Sequence, residues 1–163
     1  MISLPPELEI EEPSLERRYR STIRGLTTRI RKLYESVVDR FGEEGLRLIQ
    51  EVSAEYGFEI AVRVRQRRGD MDFNDVGRFL VKVFNGMLAD GEITEWSDKR
   101  IVIMVRECPY PFKRKEICAA HTSMEAALVK GLNPDLEYFI EKSLPNGDQD
   151  CRHVLALRQQ DTS

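Results

Sequence analysis

The apolar residues of this chain change their spacing at Gly91, and that change constrains the fold more than any other feature. Before it, Leu15, Tyr19, Ile23, Leu26, Ile30, Leu33 and Val37 recur every three or four residues. This is the signature of one stripe on an amphipathic helix. Ser14 is placed to cap that helix, and Gly42 to end it. A second stripe, Leu46, Ile49, Val52, Tyr56, Ile60 and Val64, predicts a helix from Glu43 to Arg68 that Gly57 bends or divides. Asp72 caps a third, whose face is Val76, Phe79, Leu80, Val83, Phe84 and Met87 and which stops at Asp90-Gly91.

After Gly91 the segments are short and strand-like. Glu92–Trp96 and Arg100–Glu107 flank the polar turn Ser97-Asp98-Lys99. The uninterrupted run Ile101-Val102-Ile103-Met104-Val105 predicts a central strand covered on both faces, ended at Cys108-Pro109-Tyr110-Pro111 because proline cannot continue a ladder. A helix over Lys113–Gly131 follows. Leu136–Leu144 and Cys151–Arg158 then flank Pro145-Asn146-Gly147-Asp148, a strong hairpin signal. Three helices, a hairpin, a helix and a second hairpin make an α+β domain with a four-stranded, mainly antiparallel sheet. Residues 14–158 form that domain, with a helical half over 14–90 and a sheet half over 92–158. Residues 1–13 and 159–163 read as an extended leader and a tail.

The leader holds four Glu and no Lys or Arg, which excludes a signal peptide or presequence. No stretch approaches the roughly 18 apolar residues of a membrane span. Three cysteines, an odd number, do not suit a disulfide-stapled secreted domain. A cytoplasmic protein with reduced thiols is the expectation. Ser14–Arg40 carries eight basic residues against three acidic ones. It lacks the aromatic interleaving that stacks bases, and the net charge is −3, so it reads as a solvated face rather than a nucleic-acid site. Arg68-Gly69-Asp70 is taken as a chance match to an adhesion motif. The long first stripe has more apolar surface than one sheet can cover, and it predicts a homodimer through the N-terminal helices.

The chemistry-bearing residues gather in the C-terminal part. Cys118 and His121 are three apart on one helix, and Glu125 lies a turn further on. Cys108 ends the central strand. Cys151 opens the last strand and shares its inward side with His153, Leu155 and Leu157. One reading is a zinc site of Cys108, Cys118, Cys151 and His121, with His153 as substitute ligand and Glu125 orienting His121. A second makes a thiol the nucleophile, activated as Cys118–His121 or Cys151–His153. The third is that all three thiols are small buried hydrophobes and that His121 faces solvent.

Cys108-Pro109-Tyr110, Cys118, Gly131-Leu132-Asn133-Pro134, Gly147 and Cys151 together resemble the L-2-amino-thiazoline-4-carboxylic acid hydrolase-like family over residues 92–158. Gly147-Asp148-x-x-Cys151 is also similar to the four-vinyl reductase ligand-binding domain, whose members fix a structural zinc through cysteines and a carboxylate. The chain departs from these patterns at His121, at Arg152-His153 and at Ser143-Leu144. The resemblance implies a zinc- or thiol-assisted hydrolase of a small anionic thiazoline or cyclic amidine. His121 and His153 would be the bases, and Arg106 or Arg152 the carboxylate partner. The alternative is a non-catalytic small-molecule sensor braced by structural zinc. An open metal position favours the enzyme and a closed Cys3His shell the module.

Overall fold

The computed structural model describes residues 12–158, so most of the expected leader and the tail lie outside it. The first helix, α1, spans Leu15–Arg68 and is broken at Gly42, whose φ of 56° and ψ of −129° are not helical. The two expected helices are thus the arms of one kinked element. The Ser14 hydroxyl caps it by accepting the Arg17 N–H at 3.3 Å. Gly57 neither bends nor divides the second arm. Instead, a Cβ there would lie 2.1 Å from the Met124 carbonyl oxygen of a later helix, so glycine permits a close crossing of two backbones.

Helix α2, Phe73–Gly86, starts where Asp72 accepts the Asp75 N–H at 2.8 Å. Strands β1 (Asp90–Trp96) and β2 (Arg100–Glu107) form the first hairpin, closed by the Ser97 hydroxyl accepting the Arg100 N–H. Helix α3 (Lys115–Leu132) leads to β3 (Leu136–Lys142) and β4 (Cys151–Leu157). The second turn is larger than its sequence suggests. Leu144–Asn146 form a 3-10 turn, Gly147 is left-handed at φ 93°, and the Asp148 carboxylate accepts the Ser143 N–H at 2.8 Å.

The four strands pair antiparallel in the order β1-β2-β4-β3, so the fold is the expected α+β arrangement. All three helices contribute to the core against Ile101, Ile103, Val105, Cys151 and Leu155. α3 lies between this sheet face and α1, with Ser53, Gly57 and Ala61 of α1 buried along the crossing.

As expected, the centre of β2 is buried on both faces: Ile101, Ile103 and Val105 face the helices, and Val102, opposite Val154, is buried on the other side. Its other face carries cross-strand ion pairs, Arg100 with Glu95 and Glu141 and Arg106 with Glu92, flanking buried Val102 and Val154.

Candidate functional site

The helix α3, the end of β2 and the inward side of β4 meet where the sequence places its thiols and imidazoles. Cys118 and His121 of α3 are buried, as are Cys151 and His153 of β4, while Cys108 is partly buried. These groups share one interior neighbourhood: Cys151 packs in the buried cluster of Tyr138, Cys118 in that of Phe112 and Tyr110, and Cys108 accepts the Tyr110 N–H. Within it the side chains separate into distinct seats.

His121 sits in an aromatic nest. Its ring centroid lies 4.4 Å from that of Tyr110, 5.2 Å from Phe112 and 5.8 Å from Tyr34, all tilted. The kinked α1 supplies Tyr34, and the β2–α3 connection supplies the other two. Among the described residues, neither ring nitrogen of His121 has a hydrogen-bond partner, although both are sealed from solvent. Burial holds its pKa down to about 4, so the ring is neutral at ordinary pH. Glu125, one turn along the helix, keeps some surface exposed, but its Oε2 is sealed and also unpartnered. Burial pushes this carboxyl up to about 7. Glu125 therefore does not orient His121 by a hydrogen bond, as the sequence suggests.

His153 is held differently. Its Nδ1 shares a 2.6 Å hydrogen bond with the Tyr138 hydroxyl, and its ring meets Phe84 edge-on at 4.7 Å. Burial lowers its pKa to about 4 as well. Two of the thiols are engaged by the backbone: Cys108 accepts the Tyr110 N–H at 3.3 Å, and Cys151 the Leu144 N–H at 3.4 Å. Burial pushes Cys108 up to about 11 and Cys118 up to about 12, and it raises Cys151 too. Such thiols stay protonated at neutral pH, which is the condition of a buried hydrophobe rather than of a nucleophile.

The expected zinc quartet does not fit this arrangement. Among the described residues, no group of three or more His, Cys, Asp or Glu side chains is placed to hold a metal ion. Helical geometry gives one reason. At 3.6 residues per turn, positions three apart diverge by roughly 60° around the axis. Cys118 lines the opening between α3 and β3, while His121 enters the nest between α1 and the loop.

The two expected carboxylate-binding arginines lie elsewhere. Arg106 pairs with Glu92 at 2.8 Å, and Arg152 with Asp150 at 3.1 Å. Both stand on the sheet face opposite Cys151 and His153, as strand alternation requires.

Sequence reasoning missed Tyr34, Tyr110, Phe112, Phe84 and Tyr138. Phe84 and Tyr138 left usable signals: Phe84 lies on the apolar stripe of its helix, and with the hairpin register in hand, alternation along β3 places Tyr138 with Leu136 on the inward side. Two openings flank the cluster. One, of about 720 Å³, lies between the first arm of α1, the end of α2 and Cys108; the other, of about 550 Å³, lies between α3 and β3 and reaches Cys118 and Tyr138.

No protein-family model and no curated protein sequence matches the chain. Solved structures do resemble it. One is a trafficking protein particle complex subunit 3 from Naegleria fowleri, covalently bound to palmitic acid. Its TM-score is 0.60 at 14% identity, covering 86% of this chain and 97% of that one. Another is the phenol-responsive sensory domain of the transcription activator PoxR, solved with phenol. Here the TM-score is 0.58 at 14% identity, covering 80% of this chain and 74% of that one. At this identity the likeness is one of fold.

Proposed function

We propose that this chain is a small-molecule-binding domain of sensor type, with its ligand held at His121 and Glu125. The observation that carries the reading is the unpartnered imidazole. A buried polar group left without a hydrogen bond costs about 1–3 kcal/mol, and native proteins seldom leave one so. His121 leaves two such atoms and Glu125 a third. A neutral imidazole offers one donor and one acceptor, here walled by flat aromatic faces. The matching ligand is small, largely apolar and able to both donate and accept a hydrogen bond, as an aromatic hydroxyl does. The solved neighbours support this class, since each was determined with an apolar molecule bearing a polar end.

Binding is favoured over ring hydrolysis by the same geometry. The thiols are held protonated, His153 is engaged by Tyr138, and neither Arg106 nor Arg152 faces the cluster. A zinc ion at Cys108, Cys118, Cys151 and His121 would require those side chains to leave their seats, so no step is routed through one. A homodimer through α1 is part of the proposal: Leu15, Leu26 and Leu33 of its first arm are each more than half exposed.

Calorimetric titration with phenol and, separately, with palmitate tests the reading. Phenol is expected to bind the wild type and to lose at least tenfold in affinity on His121→Phe, which keeps the ring volume and removes both nitrogens. Binding unchanged in that variant, or no heat from either probe, overturns it.

A further inference from the structure

The sealed imidazole and the larger opening are separated by one stretch of chain. Cys108, Pro109 and Pro111 line the opening of about 720 Å³. Tyr110 and Phe112, which alternate with the prolines, pack instead on His121, at 4.4 and 5.2 Å between ring centres. The segment is therefore a wall one chain thick. Opening and nest also adjoin along α1, where Ile23 and Thr27 line the first and Tyr34, two turns on, walls the second. Arg31 lies between Thr27 and Tyr34 on that helix face, and its Nε is sealed without a partner among the described residues.

Tyr110 is the loosest part of that wall. Phe112 is buried in a core cluster with Val38, Ile49 and Ile117, whereas Tyr110 is half-buried and packs against the cluster from outside. The rings of Tyr34, Phe112 and Tyr110 are close to parallel, and Tyr110 ends the row. Among the described residues, the backbone from Pro109 to Phe112 makes two hydrogen bonds, and both are local. The Tyr110 N–H donates to the Cys108 thiol at 3.3 Å, and the Phe112 N–H to the Tyr110 carbonyl at 2.7 Å. A thiol is a weak acceptor, and neither bond reaches another element. The flanking prolines fix their own φ, so displacement concentrates in the torsions of Tyr110. Segments with so few ties open locally without unfolding the domain.

We propose that Tyr110 is the gate of the ligand site: the ligand enters through the opening between α1, α2 and Cys108, and the Tyr110 ring swings off His121 to admit it and closes again. The inference rests on the ligand reading and adds to it a route and the residue that controls the route. The other opening, between α3 and β3, is lined by neither His121 nor the rings around it. His153 supplies the contrast. It is as buried as His121, but Phe84 of α2 and Tyr138 of β3 cover it, and its Nδ1 shares the 2.6 Å hydrogen bond with Tyr138. Regular elements, not a loop, stand over that ring.

Acylation of the full chain by diethyl pyrocarbonate, located by mass spectrometry, times how often each imidazole meets solvent. Burial keeps both rings neutral at pH 7, so access sets the difference between them. His121 is expected to react at least tenfold faster than His153, which waits for wider unfolding. Tyr110→Ala is expected to raise the His121 rate at least tenfold further, and Pro109→Gly with Pro111→Gly at least threefold. Each rate is read as a ratio to that of His153, because a general loss of stability moves both. Equal rates in the wild type, or a ratio unmoved by Tyr110→Ala, overturn the gate. Phenol at a concentration that saturates in calorimetry is expected to slow His121 at least fivefold and to leave His153 unchanged. Phenol that binds without slowing His121 overturns the entry route. Failure of phenol to bind removes the ligand reading instead, and the wild-type ratio then decides by itself whether Tyr110 opens.

Discussion

Replacing Glu125 by glutamine tests whether the interior carboxyl is as deeply sealed as the structure places it. Burial raises its pKa from an ordinary 4.5 to about 7 in the folded chain. Between those values the folded state holds a proton that the unfolded state has released. Stability contributed by the raised pKa is therefore full below pH 4.5 and is lost as pH rises through about 7. A displacement of that size, at 1.36 kcal/mol per pH unit, corresponds to a loss of about 3 kcal/mol. Glutamine keeps the shape and cannot ionise. Urea unfolding of wild type and Glu125→Gln at closely spaced pH values from 4 to 8 reads the effect. The histidines titrate in both proteins, so the difference between the two curves isolates Glu125. Glutamine is expected to gain on wild type by about 3 kcal/mol from pH 4 to pH 8, an order-of-magnitude figure. A difference that stays flat refutes the buried, unpaired carboxyl and weakens the ligand site built on it.

Further outcomes follow from other parts of the molecule. His121 and His153, both held near pKa 4, lose protons on folding, so stability is expected to fall as pH drops from 6.5 towards 4. In urea unfolding, the variant lacking both histidines should lose that slope. Tyr138→Phe leaves the buried Nδ1 of His153 without its 2.6 Å partner and should cost about 1–3 kcal/mol, read in the same way. Gly57→Ala would gain about 1 kcal/mol of helix propensity in an isolated helix. Here its Cβ meets the Met124 carbonyl oxygen at 2.1 Å, so thermal unfolding is expected to show a net loss. Leu26→Glu with Leu33→Glu should leave the fold intact by circular dichroism and convert a dimeric mass to a monomeric one in light scattering. A monomeric wild type ends the dimer proposal.

The helices and strands were legible in the sequence because what starts and stops them is local. Ser14 and Asp72 reach N–H groups three residues away, Gly42 breaks the helix through its own backbone angles, and Ser97 closes its own turn. The period change at Gly91 is likewise a property of neighbouring residues, so the α+β class followed from it. Gly57 shows where local reasoning stops. In the sequence it is a helix weakness; in the fold it is a contact, because what lies 2.1 Å away belongs to α3. Strand order, and with it which face of β2 meets the helices, depends on how the hairpins dock and has no local signal. The site divides the same way. Cys118, His121 and Glu125 were found together because a helix repeats every 3.6 residues. That Tyr34, Tyr110 and Phe112 enclose His121 was decided by packing. Those rings come from a kinked helix and a loop far apart in the chain, and only the folded core brings them around one imidazole.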